Sequence, residues 1–178
     1  MNRHDGVFYA LRDGDWPVRD RVGDTFFLTY GETELLLAEA AERGWVTTGT
    51  AAAYYTAGVT AAMAQLGAQA GAGPSTAAIT AYLTINPYNG ADALNQINTQ
   101  YWVASFMDEN ESFANWRRSG FPALTPVNYP GNVTNGTIPR RFTYPQGEAS
   151  TNTTNYNAAV SDLNNGDKMT SRVWWDAQ

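Results

Sequence analysis

Few side chains in this sequence are equipped for covalent chemistry. There is no cysteine, which removes thiolate nucleophiles, iron–sulfur ligation and disulfides together. The one histidine, His4, lies in a stretch with no clear hydrophobic period. A Ser–His–Asp triad or a His-based metal site would need it in an ordered pocket, so it is read as non-catalytic. Asp108, Glu109 and Glu111 could furnish a glycosidase pair, which needs two carboxyl groups about 5–9 Å apart across a sugar cleft. Nothing else in the sequence suggests such a cleft, and the cluster is read as a solvated helix-to-loop junction. Asp13, Asp15, Asp20 and Asp24 are irregularly spaced and lack the central Gly and closing Glu of an EF-hand loop. The sequence therefore assigns no catalytic residue, no metal site and no cofactor.

What the composition does favour is non-covalent recognition. Charged residues make up 16% of the chain, against about 25% in ordinary soluble domains. Their place is taken by 20 Thr and 15 Asn, beside six Trp and ten Tyr. Hydroxyls and amides exchange hydrogen bonds and rings offer flat apolar faces, a combination that suits sugars and other uncharged ligands. The rings in turn-like sequence are the ligand candidates: Trp16 before Pro17, Tyr88 after Pro87 and Tyr129 before Pro130. Tyr101 and Trp102 fall within a helical period and Trp45 follows a helix end, so these are expected in the core. Trp174 and Trp175 are expected to pack against the scaffold. Ten of the eleven basic residues are arginine, whose planar fork suits fixed ion pairs. Arg117, Arg118, Arg140 and Arg141 are accordingly expected to fasten loops to helices by pairing with carboxylates such as Glu32, Glu39 and Glu148. A net charge of −6 argues against nucleic acid as a partner. No stretch reaches 18 apolar residues, and the first residues lack the apolar core of a signal peptide.

The elements that must position these side chains are mainly helical. Residues 1–28 read as an irregular lead-in, and 29–178 as one helical domain. Thr29 and Glu32 form a capping-box pattern that opens a helix, and Gly44 closes it. Glu32, Glu39 and Arg43 share one narrow face of that helix, so the remaining apolar sides should be buried. A second helix spans about 50–68, with Tyr55, Val59, Met63 and Leu66 at helical spacing. Ala53, Ala57, Ala61, Ala64 and Ala68 form a stripe that would allow close helix approach. The short link between the two predicts a helix hairpin. A short helix over 76–84 and another after Asn89, carrying Leu94, Ile97, Tyr101 and Ala104, extend the pattern to tetratricopeptide-like pairs. Two hairpins are too few for a stable array, which suggests missing neighbours. Six of the eight prolines follow residue 86, and long loops over 119–150 are interrupted only by a helix near 152–164. A loop region of that length is usually functional or pinned by specific contacts.

Four segments, in order, resemble the SusD/RagB-like family of outer-membrane nutrient-binding lipoproteins. They are Tyr30-Gly31-Glu32 through Leu37-Ala38-Glu39-Ala40-Ala41 to Arg43-Gly44-Trp45 with Tyr54-Tyr55 and Gly58-Val59; Gln100-Tyr101-Trp102 running on to Trp116-Arg117-Arg118-Ser119-Gly120-Phe121-Pro122; Ile138-Pro139-Arg140-Arg141-Phe142-Thr143-Tyr144-Pro145 with Glu148 and Asn155-Tyr156; and Arg172-Val173-Trp174-Trp175-Asp176. The resemblance covers roughly 26–178. It departs from the family at Tyr101, where a basic residue is common, and at Gly31, where Ala is. It departs also in length, since family members are more than twice as long and start with a signal peptide and a lipid-modified cysteine. The resemblance implies the C-terminal portion of a mainly α, tetratricopeptide-like fold. It implies a non-catalytic protein on the external face of the outer membrane, held there by an anchor absent from this chain. Such a protein captures glycans or other nutrients for a SusC-like TonB-dependent transporter. The competing expectation is a helical-repeat interaction module that docks to a transporter or to a missing N-terminal half and has no ligand site of its own.

Overall fold

A computed structural model describes residues 28–70, 73–106 and 108–176, with side chains 66–70 excepted. The described residues are mainly α: seven α-helices and no strand among them. They divide into two compact units, the first ending at Ser112 and the second beginning at Phe113. None of the helices is long and apolar enough to cross a membrane.

The first unit is built on a helix hairpin, α1 (Tyr30–Glu42) and α2 (Ala51–Ala70). The capping box forms as the sequence reading expects: the Glu32 amide donates to Thr29 Oγ1 at 3.1 Å, and the Thr29 amide donates to Glu32 Oε2 at 2.7 Å. The faces of α1 do not follow its polarity. Glu32, Glu34 and Glu39 are buried while Leu36 is exposed. Two of these carboxylates are buried with local donors, Glu32 in the cap and Glu39 through Arg43 at 2.8 Å. Helix α3 (Thr76–Ile85) is capped by Ser75, whose hydroxyl accepts from the Ala78 amide. A 3₁₀ turn at Gly90–Asp92, capped by Asn89, leads into α4 (Ala93–Ala104). The core is Leu35 and Ala38 of α1, Tyr55 and Val59 of α2, and Ala93, Ile97 and Tyr101 of α4.

Close approach of α1 and α2 depends on glycine rather than on the alanine stripe. A Cβ at Gly31 would stand 2.9 Å from the Ala62 amide nitrogen, and one at Gly58 would stand 2.7 Å from Leu35 Cγ and 3.0 Å from the Gly31 carbonyl. Ala53, Ala57, Ala61 and Ala64 instead line an open groove of about 650 Å³ with Tyr30. The closest contact with α1 is carried by Tyr55, Gly58, Val59 and Ala62, and the stripe lies beside it, in a groove shared with Tyr30 of α1.

Helix α5 (Glu109–Ser119) bridges the residue at which the units divide. The acidic stretch expected to be a helix-to-loop junction opens a helix instead. Its signals are local: Asp108 Oδ1 accepts from the Glu111 amide at 3.0 Å, acids occupy the first turn, and Arg117 and Arg118 occupy the last. The second unit adds α6 (Glu148–Thr151) and α7 (Thr153–Ser161), where one helix near 152–164 is expected; the rest is loop. Trp116 is its one large apolar side chain that is buried among the described residues. With so little apolar burial, specific polar contacts must hold these loops.

Candidate ligand-binding aromatics and their supports

Arginines stacked on rings fix the second unit. The Arg117 guanidinium lies over two rings, Phe113 at 4.4 Å from the ring centre and Trp175 at 4.6 Å. It also donates to the Arg140 carbonyl at 2.9 Å. Arg140 lies over Trp116 at 4.3 Å and pairs with Asp176 at 3.0 Å. Burial pulls the Arg140 guanidinium below its ordinary range, and the Asp176 charge opposes that shift. Asp176 also receives Arg172 at 2.8 Å, and its own side chain is fully buried. Arg141 lies over Tyr144 and pairs with Asp167 at 2.7 Å. Of the other side chains expected in ion pairs, Arg118 donates to Asn115, Glu39 receives Arg43, Glu32 closes the helix cap and Glu148 accepts from Asn152. The carboxylates facing Arg140 and Arg141, Asp176 and Asp167, lie 36 and 26 residues away in sequence, and spacing did not single them out.

Asp167 is the hub of a second cluster. Besides Arg141 it accepts from the Tyr144 amide at 3.1 Å and the Tyr156 hydroxyl at 3.2 Å. Desolvation pushes its carboxyl up, but these donors together hold it below the ordinary carboxylate range. A depressed folded-state value contributes stability that is complete above the unfolded aspartate pKa, about 3.9, and is lost as pH falls through the folded value. Acid unfolding of the second unit, followed by amide exchange at Tyr144, is therefore expected to set in below about pH 4. In Asp167→Asn that step should be absent and protection lower at neutral pH. An acid profile identical in the two proteins would refute this role.

The three ring candidates are placed differently. Trp16 lies outside the described residues. Tyr88 is half-buried: its ring packs on Tyr55 at 5.6 Å and its hydroxyl donates to Glu42. Burial first, and then the Glu42 contact, raise the Tyr88 hydroxyl well above its ordinary value, so it stays a donor. Tyr129 is 72% exposed, in a loop ordered by turn hydrogen bonds from the Tyr129 amide to Val127 and from the Asn132 amide to Tyr129.

Three rings expected inside are in fact outside. Trp45 is 73% exposed, because Gly44 takes a left-handed φ of +73° that swings the chain off the helix end. Trp102 is 40% exposed: it follows Tyr101, which faces the core, by 100° around α4. Trp174 is 90% exposed at the tip of a turn closed by the Asp176 amide on the Val173 carbonyl. Trp175 does pack, against Arg117. Two of the three clustered acids are engaged structurally, Asp108 on the helix cap and Glu111 as acceptor for the Tyr101 hydroxyl at 2.6 Å. Among the described residues no three metal-ligating side chains come together.

Comparison with known proteins gives this arrangement its context. The sequence profile of SusD-like proteins, described as starch-binding and associating with the outer membrane, matches residues 13–145. A solved chitin-binding protein is 40% identical with a TM-score of 0.75, over 84% of this chain and 33% of its own. A Bacteroidetes SusD-like structure is 32% identical with a TM-score of 0.76, over 85% of this chain and 30% of its own. A chitin-binding SusD homologue from Flavobacterium johnsoniae is 30% identical with a TM-score of 0.65, over 83% and 36%. The chain thus spans about a third of the length of these solved relatives. No curated protein matches the sequence.

Proposed function

Because this chain belongs to the SusD-like family of starch-binding proteins that associate with the outer membrane, we propose that it is a non-catalytic glycan-binding protein. It works on the external face of that membrane and passes its ligand to a SusC-like TonB-dependent transporter. The observation that carries this reading is the likeness to a chitin-binding protein, 40% identical over 84% of the chain. The chemistry of the surface supports it. Exposed rings stand on loops that hydrogen bonds and arginine stacks hold still, and a pre-ordered ring loses little freedom when a sugar lies on it. Of the two ring candidates among the described residues, Tyr129 offers the more open face, whereas the contacts of Tyr88 make it a clamp between the Pro87 turn and α1.

The test is a titration of the folded chain with soluble starch, chitin oligosaccharides and other glycans, followed by tryptophan fluorescence. Saturable quenching by one glycan class is expected. No response to any of them, from a sample whose circular dichroism shows helix, would reject the reading and favour the interaction module.

A further inference from the structure

We propose that Trp45 is a built stacking platform for a pyranose ring, a site that rests on the glycan-binding reading above and gives it a place. The loop between α1 and α2 is fastened throughout. At its start the Trp45 amide donates to the Ala40 carbonyl at 2.8 Å and the Gly44 amide to Ala41 at 3.0 Å, the two bonds of a Schellman end. At its finish the Thr50 hydroxyl accepts from the Ala53 amide at 3.2 Å and caps α2. Between them the Thr48 and Tyr54 hydroxyls are 3.1 Å apart, and a Cβ at Gly49 would meet the Tyr54 ring at 2.7 Å. The chain therefore cannot fold Trp45 inward without breaking an ordered end.

The indole is supported as well as exposed. The Arg43 guanidinium lies 5.3 Å from the ring centre and is itself held by Glu39, whose side chain is buried. With one face backed by a cation, the open face of a ring that is 73% exposed is the one presented to solvent. Such a face matches the C–H face of a sugar, whose hydroxyls point outward to the rim. The neighbouring rim is hydroxyl-bearing: Thr47, Thr48 and Thr50 are all exposed. The charged side chains at this helix end already have partners, Arg43 in Glu39 and Glu42 in the Tyr88 hydroxyl. The chemistry selects a neutral glycan.

Calorimetry with chitohexaose and maltoheptaose as probes, on the full chain, tests this. For whichever probe the wild type binds, Trp45→Ala should weaken affinity at least about tenfold, the low end for loss of a central ring. Trp45→Phe should retain most of it, and the melting temperature should not move, because an exposed ring contributes little to folding. Ile85→Ala, which removes an exposed apolar side chain of α3 that is not a ring, serves as the control, and binding should survive it. Wild-type affinity in Trp45→Ala would overturn the platform and leave the glycan-binding reading intact. A folded wild type that binds neither probe nor any other glycan would overturn both.

Discussion

Replacing Asp176 with alanine is expected to cost the second unit about 3–5 kcal/mol, the usual result of removing one partner from a buried ion pair. The carboxylate is fully buried and receives two arginines on one oxygen, Arg140 at 3.0 Å and Arg172 at 2.8 Å. Without it, the half-hidden Arg140 guanidinium keeps its desolvation cost and loses the charge that offsets it. Arg140 also carries the loop: its amide donates to the Met169 carbonyl at 2.7 Å and its carbonyl receives Arg117. Hydrogen exchange is the direct readout, and the Arg140 amide should lose most of its protection in Asp176→Ala. Asp176→Asn keeps an acceptor and should fall between. Arg172→Ala should be milder, since that side chain is a third exposed and Asp176 retains Arg140. Unchanged protection at Arg140 in Asp176→Ala would mean that the ring stacks alone hold these loops.

What the sequence made legible is what depends on near neighbours. The Thr29–Glu32 cap, the Gly44 stop and the spacing of Ile97 and Tyr101 are all written within one or two helical turns, and each is found where the pattern put it. One helix escapes the pattern because charge is easily equated with exposure. Helix α5 was hidden by its acids and arginines, although an N-cap and dipole-matched ends stood in plain view. In α1 the apolar Leu35 and Ala38 are buried as the spacing expects, and Glu32 and Glu39 are buried beside them because they find donors nearby. The partners of Arg140 and Arg141 could not have been read, since any of 17 carboxylates was a candidate and only the folded chain chooses. For Trp45 the signal is in the sequence: Gly44 just before it says that the chain leaves the helix there, and a residue beyond that point need not turn inward.

The hairpin offers a sharper test of packing than any single substitution. Leu35→Ala should cost about 2–5 kcal/mol in urea unfolding of the first unit, because Leu35 is 1% exposed at the centre of its core. Gly58→Ala should also destabilise, by about 1–3 kcal/mol for overpacking, less the roughly 1 kcal/mol that alanine gains over glycine within a helix. The atom it strikes is Leu35 Cγ, at 2.7 Å. Combining the two removes the obstacle and places a methyl group at the edge of the new cavity. The double variant should therefore be more stable than the sum of the single losses by about 0.5–3 kcal/mol. Rescue cannot be complete, because the Gly31 carbonyl still stands 3.0 Å from the added carbon and belongs to the backbone of α1. Strict additivity would show that α1 shifts as a whole to admit the methyl group, and that Leu35 does not set the distance between the helices.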